Sequence, residues 1–234
     1  MYNPEELKIR RRTWLKVSGV PINSVGWLLK DCVDIESNVV TSLKGWMEKV
    51  KCNRIIRAHG LKTCGKGLLL TGMPGFGKTT LASSVLQEMI TTFSLAEFDV
   101  KDTVLVRPCY FASYNKILDL KGSVIGGDVT ESDIKLFQGI MGECKDDAYN
   151  IRVLVVDDVG KEHKSLSGWQ VNVLHDIIRN RHTNGFPTIV TTNLVPDDWE
   201  DMYGPATRSF LKEAFSTIPV KTVRGDLRLR PLKQ

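Results

Sequence analysis

Gly72-Met73-Pro74-Gly75-Phe76-Gly77-Lys78-Thr79 is a complete G-x-x-x-x-G-K-T stretch, and its surroundings decide the fold. Gly67-Leu68-Leu69-Leu70-Thr71 enters it as a short apolar run of strand length. Thr80 to Ile90 leaves it with apolar residues at 81, 82, 85, 86 and 89, the spacing of a helix. Strand, glycine-rich turn and helix in this order form a phosphate-binding loop. The glycines let backbone N–H groups wrap a phosphate chain, and the helix N-terminus adds partial positive charge beneath it. Gly72, Pro74, Gly75, Phe76, Gly77, Lys78, Thr79 and Thr80 are the expected nucleotide-binding residues. Lys78 reaches the β- and γ-phosphates, and the Thr79 hydroxyl takes a place on Mg²⁺.

Composition sets the outer bounds. The chain has 234 residues, 42% hydrophobic and 25% charged, the balance of one soluble domain with a sizeable core. No apolar run approaches the ~18 residues of a membrane span, and the start of the sequence is polar, with Arg10-Arg11-Arg12. A cytoplasmic protein is expected, with no membrane partner. The five cysteines form no C-x-x-C pair and share no zinc spacing with the four histidines, so free thiols are expected. The net charge of +5 is compatible with nucleic acid and does not require it.

Residues 1–32 are mixed, with Leu15, Val17, Val20, Ile22, Trp27, Leu28 and Leu29 placed to cover one edge of a core. Helical spacing of Val39, Val40, Leu43, Trp46, Met47 and Val50 predicts a helix over roughly 34–58, ended by His59-Gly60. Residues 104–111 read as a strand, with Pro108 implying an edge position or the strand start. Helices are expected over 113–120, broken by the segment 122–128, and over 131–147 and 167–183. Strands are expected over 151–156, 187–192 and 217–220, and a last helical piece over 205–215. Strands alternating with helices imply a parallel sheet covered on both faces.

Val153-Leu154-Val155-Val156-Asp157-Asp158 reads as a buried strand ending in two carboxylates, at the sheet edge where open α/β sheets bind ligands. Asp157 is expected to hold Mg²⁺ and Asp158 to polarise the attacking water. Asn193 ends the strand Ile189-Val190-Thr191-Thr192-Asn193 and could position that water or touch the γ-phosphate. Arg208, near an expected helix start, and Arg228, close to Arg230, are always charged and suited to neutralising phosphate in a transition state.

Taken together, phosphate loop, Asp-Asp strand end, Thr-Asn strand end and two arginines resemble an AAA+ ATPase. The chain is similar, over roughly residues 12–230, to the DnaC/IstB group of helicase loaders and transposition helpers. Ser18-Gly19-Val20-Pro21, Asp157-Asp158-Val159-Gly160-Lys161-Glu162, Pro187-Thr188-Ile189-Val190-Thr191-Thr192-Asn193-Leu194 and Gly225-Asp226-Leu227-Arg228 carry that likeness. The resemblance implies an α/β P-loop NTPase core with a five-stranded parallel sheet, order 5-1-4-3-2, and no C-terminal lid domain. It implies ATP and Mg²⁺ as cofactors, Lys78 and Thr79 as the Walker A pair, and Asp157 and Asp158 as Walker B. Asn193 matches sensor 1, Arg208 the arginine finger acting on a neighbour's ATP, and Arg228 sensor 2. It further implies ATP-dependent homo-oligomers that grip single-stranded DNA, with contact sought at Lys161, Lys164 and Ser165, where lysines would track phosphates. Residues 1–32 then form an N-terminal segment that could serve as a short partner-docking element, and 33–234 the ATPase domain. Loading a replicative ring helicase onto DNA is the expected task. An IstB-like transposition helper, a small-molecule P-loop kinase and a slow ATP-operated switch are the other readings.

Overall fold

The computed structural model describes residues 4–58, 65–94, 98, 105–162, 168–223 and 225–227. In chain order the elements are α1 (Pro4–Val17), α2 (Ser37–Ala58), β1 (Gly67–Thr71), α3 (Lys78–Thr92), β2 (Cys109–Ser113), α4 (Tyr114–Gly126), α5 (Glu131–Met141), β3 (Val153–Val159), α6 (Trp169–Thr183), β4 (Thr188–Thr192), α7 (Pro196–Ala214) and β5 (Phe215–Pro219). The five strands make one parallel sheet in the order β2-β3-β4-β1-β5, which is the expected 5-1-4-3-2 read from the other edge.

Alternation along the strands divides the core in two. Leu68, Leu70, Phe111, Val153, Val155 and Ile189 face α1, α2 and α3, where they meet Trp14, Leu43, Trp46, Leu81, Val85 and Met89. Leu69, Tyr110, Ala112, Leu154, Val156 and Val190 face the other way, onto Tyr114, Ile117, Ile140, Val173, Ile177 and Leu211. Both faces are apolar because helices cover both, as an all-parallel sheet requires. Each fully buried Leu, Ile or Val contributes about 1.5–3 kcal/mol, so each face is strongly held.

The N-terminal segment packs into the first of these clusters. The sequence of α1 is polar, with Glu5 and Glu6 in the first turn and Lys16 in the last, as the helix dipole favours. Its helical character was not apparent from periodicity. Trp14 anchors it, buried and donating its indole N–H to the Leu105 carbonyl at 2.9 Å. Ser18 then offers its carbonyl to the Phe111 N–H at 2.7 Å, which blunts the open edge of β2. Gln87 of α3 donates to the carbonyls of Ser24 and Trp27 and accepts from Gly26, stitching the following turns to the core.

Several boundaries differ from the sequence expectations. β2 starts at Cys109, after Pro108 rather than across it, and lies at the sheet edge. α4 continues through Gly122 and ends at the left-handed Gly127. One helix glycine costs about 1 kcal/mol, less than burial of Tyr114, Ile117 and Leu118 returns. α5 stops at Met141, where left-handed Gly142 closes it, well before residue 147. α7 begins at Pro196 and consists of two helical pieces across a kink at Gly204 (φ 81°, ψ 164°). The second opens at Pro205 and runs to Ala214, so the expected piece is present with Arg208 near its start; the piece before it was not expected. A buried stripe at Trp199, Tyr203, Thr207, Leu211 and Ala214 still runs along its whole length. The expected helix end at His59-Gly60 lies outside the described residues.

The most consequential difference is in β3. The strand does not end at the carboxylates; it runs on to Val159. Val156 pairs with Val190 and Val159 with Thr192, so two residues of β3 stand opposite the single Thr191. Asp158 is the extra residue of this bulge and the one non-glycine with positive φ, 61°, among the described residues.

Candidate functional site

The phosphate loop bridges β1 and α3. Gly75 has φ 81°, a conformation that favours glycine, and a Cβ built on it would lie 1.9 Å from Asp226 Oδ1 in the 225–227 segment above the loop. Leu227 fastens that segment by donating its N–H to the Gly75 carbonyl at 3.0 Å. Gly77, left-handed, precedes the first turn of α3, whose N–H groups have no acceptor within the helix. Lys78 is buried, and its ammonium donates to the carbonyls of Gly72 and Met73 at 2.8 and 2.9 Å. Phe76 turns away and packs beside the first core cluster.

Across the cleft, Asp157 and Asp158 stand together opposite Thr191 in the bulge, yet their surroundings differ. Asp157 is buried on the α3 side, where Thr79 Oγ1 donates to its two oxygens at 3.1 and 3.2 Å. Burial pushes its carboxyl above the usual range, opposed by hydrogen bonds from Thr191 and Thr79 and assisted by the charge of Asp158. Asp158 is half-exposed and paired through Oδ1 with Lys161 Nζ at 2.8 Å.

A cleft of about 400 Å³ lies over the phosphate loop, with Asp157 buried beneath it behind Thr79. Its lining includes Pro74, Gly75, Gly77, Lys78, Thr79, Thr80, Asp158, Lys161, Asn193 and Leu227. A second cavity, about 240 Å³, opens beside it, sharing Gly77, Thr80 and Leu227 and adding Trp27, Cys32, Val33, Ile35 and Leu81, with Asn23, Asp31 and Asp34 as its polar members. A polar cleft for a phosphate chain thus adjoins a largely apolar slot of a size for a flat ring.

Arg208 is elsewhere. It lies on the opposite face of the sheet, ion-paired with Glu200, beside a cavity lined by Leu69, Trp199 and Leu211. It does not reach the phosphate cleft of its own chain. Lys161 lines the cleft itself, tied to Asp158, rather than an outward loop. Lys164, Ser165 and Arg228 lie outside the described residues.

Thr191 was missed by sequence reasoning. It is fully buried; its hydroxyl donates to Asp157 Oδ1 at 2.5 Å and accepts the Asp158 N–H at 2.9 Å. One side chain therefore fixes both carboxylate residues. The signal was present in the sheet order, which places β4 beside β3, and in a hydroxyl two residues before Asn193.

The fold is shared with proteins of known structure. The structure is similar to the DnaC helicase loader at a TM-score of 0.58 and 24% identity, covering 86% of this chain and 100% of that one. It is similar to DnaI at 0.57 and 17%, covering 92% and 99%. It is also similar to the replication initiator DnaA bound to AMPPCP and single-stranded DNA, at 0.57 and 11%, covering 88% of this chain and 52% of that one. At these identities the likeness is one of fold. No curated protein sequence matches the chain. The family model "ATPase family associated with various cellular activities (AAA)" matches residues 68–209, more than half of the sequence, and the chain belongs to that family of ATPases.

Proposed function

We propose that this ATPase loads a replicative ring helicase onto DNA, gripping single-stranded DNA and hydrolysing ATP at interfaces between copies of itself. The observation that carries the reading is the fold likeness to the DnaC helicase loader, which extends over the whole of that chain.

In this reading the ATP phosphates lie along the loop from Gly72 to Thr80 and the base occupies the slot beside Trp27, Ile35 and Leu227. Lys78 exchanges its two loop carbonyls for phosphate oxygens. Thr79 and Asp157 suit Mg²⁺, because a hydroxyl and a buried carboxylate already converge at 3.1–3.2 Å and both are hard oxygen donors. Mg²⁺, when bound, neutralises charge developing on the phosphates. Asp158 accepts a proton from the attacking water, and Asn193 orients that water from the neighbouring strand end. Arg208 acts on the ATP of a second copy, which accounts for its distance from its own cleft, and Arg228 acts as the sensor arginine.

Lys161, with Lys164 and Ser165, contacts DNA. The Lys161–Asp158 pair is half-exposed and worth at most about 1 kcal/mol, so a DNA phosphate competes for the ammonium and releases Asp158. DNA contact and hydrolysis are thereby linked. The turns after α1 leave Ile22 and Val25 exposed, and they are the docking element within residues 1–32. No helix among the described residues is long and apolar enough to cross a membrane; the cytoplasm is the proposed location.

The test is co-purification with a replicative ring helicase, together with ATP turnover measured on single-stranded and duplex DNA. Helicase capture and stimulation by single strands support loading. Absence of capture, with stimulation by long duplex alone, refutes it in favour of a transposition helper.

A further inference from the structure

Glu162 and Tyr203 have no part in the site as described, yet they connect two of its pieces. The Glu162 carboxylate is buried three residues after β3. Its Oε2 accepts the Gly160 N–H at 2.8 Å, and its Oε1 accepts the Tyr203 hydroxyl. A buried carboxylate is tolerated only when it is hydrogen-bonded in this way, so the contact is a firm one. Tyr203 is itself buried, its ring tilted against Trp199 with centroids 4.9 Å apart.

The positions of the two ends matter. Tyr203 immediately precedes Gly204, where α7 breaks, and Arg208 and its ion-pair partner Glu200 stand on opposite sides of that break. At the other end, Gly160 has φ 97°, and a Cβ there would lie 2.7 Å from Leu194 Cγ, the side chain following Asn193. One short loop therefore touches the exit of the Asp157-Asp158 strand, the exit of the Asn193 strand and the hinge of the arginine-bearing helix.

We infer that Glu162 is a positioning residue that fastens this loop to the α7 hinge, so that the setting of Asp158 and the presentation of Arg208 to a neighbouring copy change together. The inference rests on the in-trans role proposed for Arg208. It goes beyond that role by naming the connection through which one copy's nucleotide site governs the arginine it offers to the next.

The experiment mixes two inactive preparations. Arg208→Ala copies keep an intact cleft and receive an arginine; Asp158→Asn copies cannot hydrolyse and donate one. Mixing restores turnover that neither preparation has alone. Tyr203→Phe is then added to the donor, which keeps the ring on Trp199 and removes only the hydroxyl; Glu162→Gln, of the same shape, is the second variant. With either change, restored turnover falls by about tenfold or more, the worth of one hydrogen bond to a charged group. Donor binding of a fluorescent ATP analogue stays unchanged, a split that loss of folded protein would not give. If the plain donor restores nothing, the in-trans role fails and the inference falls with it. If both altered donors restore turnover as fully as the plain one, the inference alone is overturned.

Discussion

Replacing Thr191 by valine removes one oxygen from the centre of the site and keeps the side chain's shape. That oxygen makes two hydrogen bonds, donating to Asp157 Oδ1 at 2.5 Å and accepting from the Asp158 N–H at 2.9 Å. The first is charge-assisted and contributes about 1.5–3 kcal/mol; depriving the Asp158 N–H of its acceptor costs about 1–3 kcal/mol more. Thr79, which also donates to Asp157, recovers part of the first loss, so the net destabilisation is about 2–4 kcal/mol. At about 2–4 °C per kcal/mol for a chain of this size, Tm falls by about 5–15 °C. The pH dependence has a definite sign. Burial already holds the folded-state pKa of Asp157 above its ordinary value, so this carboxyl opposes folding increasingly as pH rises through that raised value. Thr191 lowers the pKa, and its loss raises it further. In nucleotide- and metal-free buffer the Tm deficit of Thr191→Val is therefore larger at pH 8 than at pH 5. Thermal melts at the two pH values check this, with Thr191→Ser retaining the hydroxyl as control. Equal deficits at both pH values, or a serine variant as damaged as the valine one, refute the role assigned to this hydroxyl.

Other substitutions separate the parts of the site. Asp158→Asn abolishes turnover by 10²-fold or more while ATP binding persists, since asparagine tolerates the left-handed backbone found at this position; loss of nucleotide affinity in a titration counts against the assignment. Gly75→Ala places a methyl against the Asp226 carboxylate in a backbone region unfavourable to alanine; at about 1–3 kcal/mol of strain, ATP affinity drops about tenfold or more by equilibrium dialysis. Arg208→Ala leaves ATP binding by dilute protein unchanged and removes the rise in specific activity with protein concentration; weaker binding by the dilute protein contradicts the in-trans role.

Much of this arrangement was legible in the sequence because the informative residues are neighbours in the chain. The loop from Gly72 to Thr79 carries its strand and helix on either side, and the order of strands followed from the family resemblance. The carboxylate pair was found on local grounds too, but the bulge that sets Asp157 and Asp158 together opposite Thr191 was not. It is a property of register between β3 and β4, and no period within residues 153–159 distinguishes a strand that ends from one that slips by a residue. The Glu162–Tyr203 contact joins residues 41 positions apart. α1 was obscured for a different reason: its one buried side chain is Trp14, and one anchor cannot establish a period. Gly122 misled in the opposite sense, because its cost to the helix is outweighed by the face that α4 buries through Tyr114, Ile117 and Leu118.

The place of β1 between β4 and β5 has a consequence for how the protein is made. This strand, completed at residue 71, pairs with β4 at 188–192 and with β5 at 215–219. A ribosome that has just released the phosphate-binding turn must add more than a hundred residues before the first of those neighbours exists, and over twenty more before the second. Until then Leu68, Leu69 and Leu70 form an apolar ribbon with unpaired backbone on both sides, the kind of segment that invites association between nascent chains. The site for nucleotide is thus encoded early and assembled late. Chaperone capture of ribosome-bound chains is expected to concentrate on lengths before β5 has emerged.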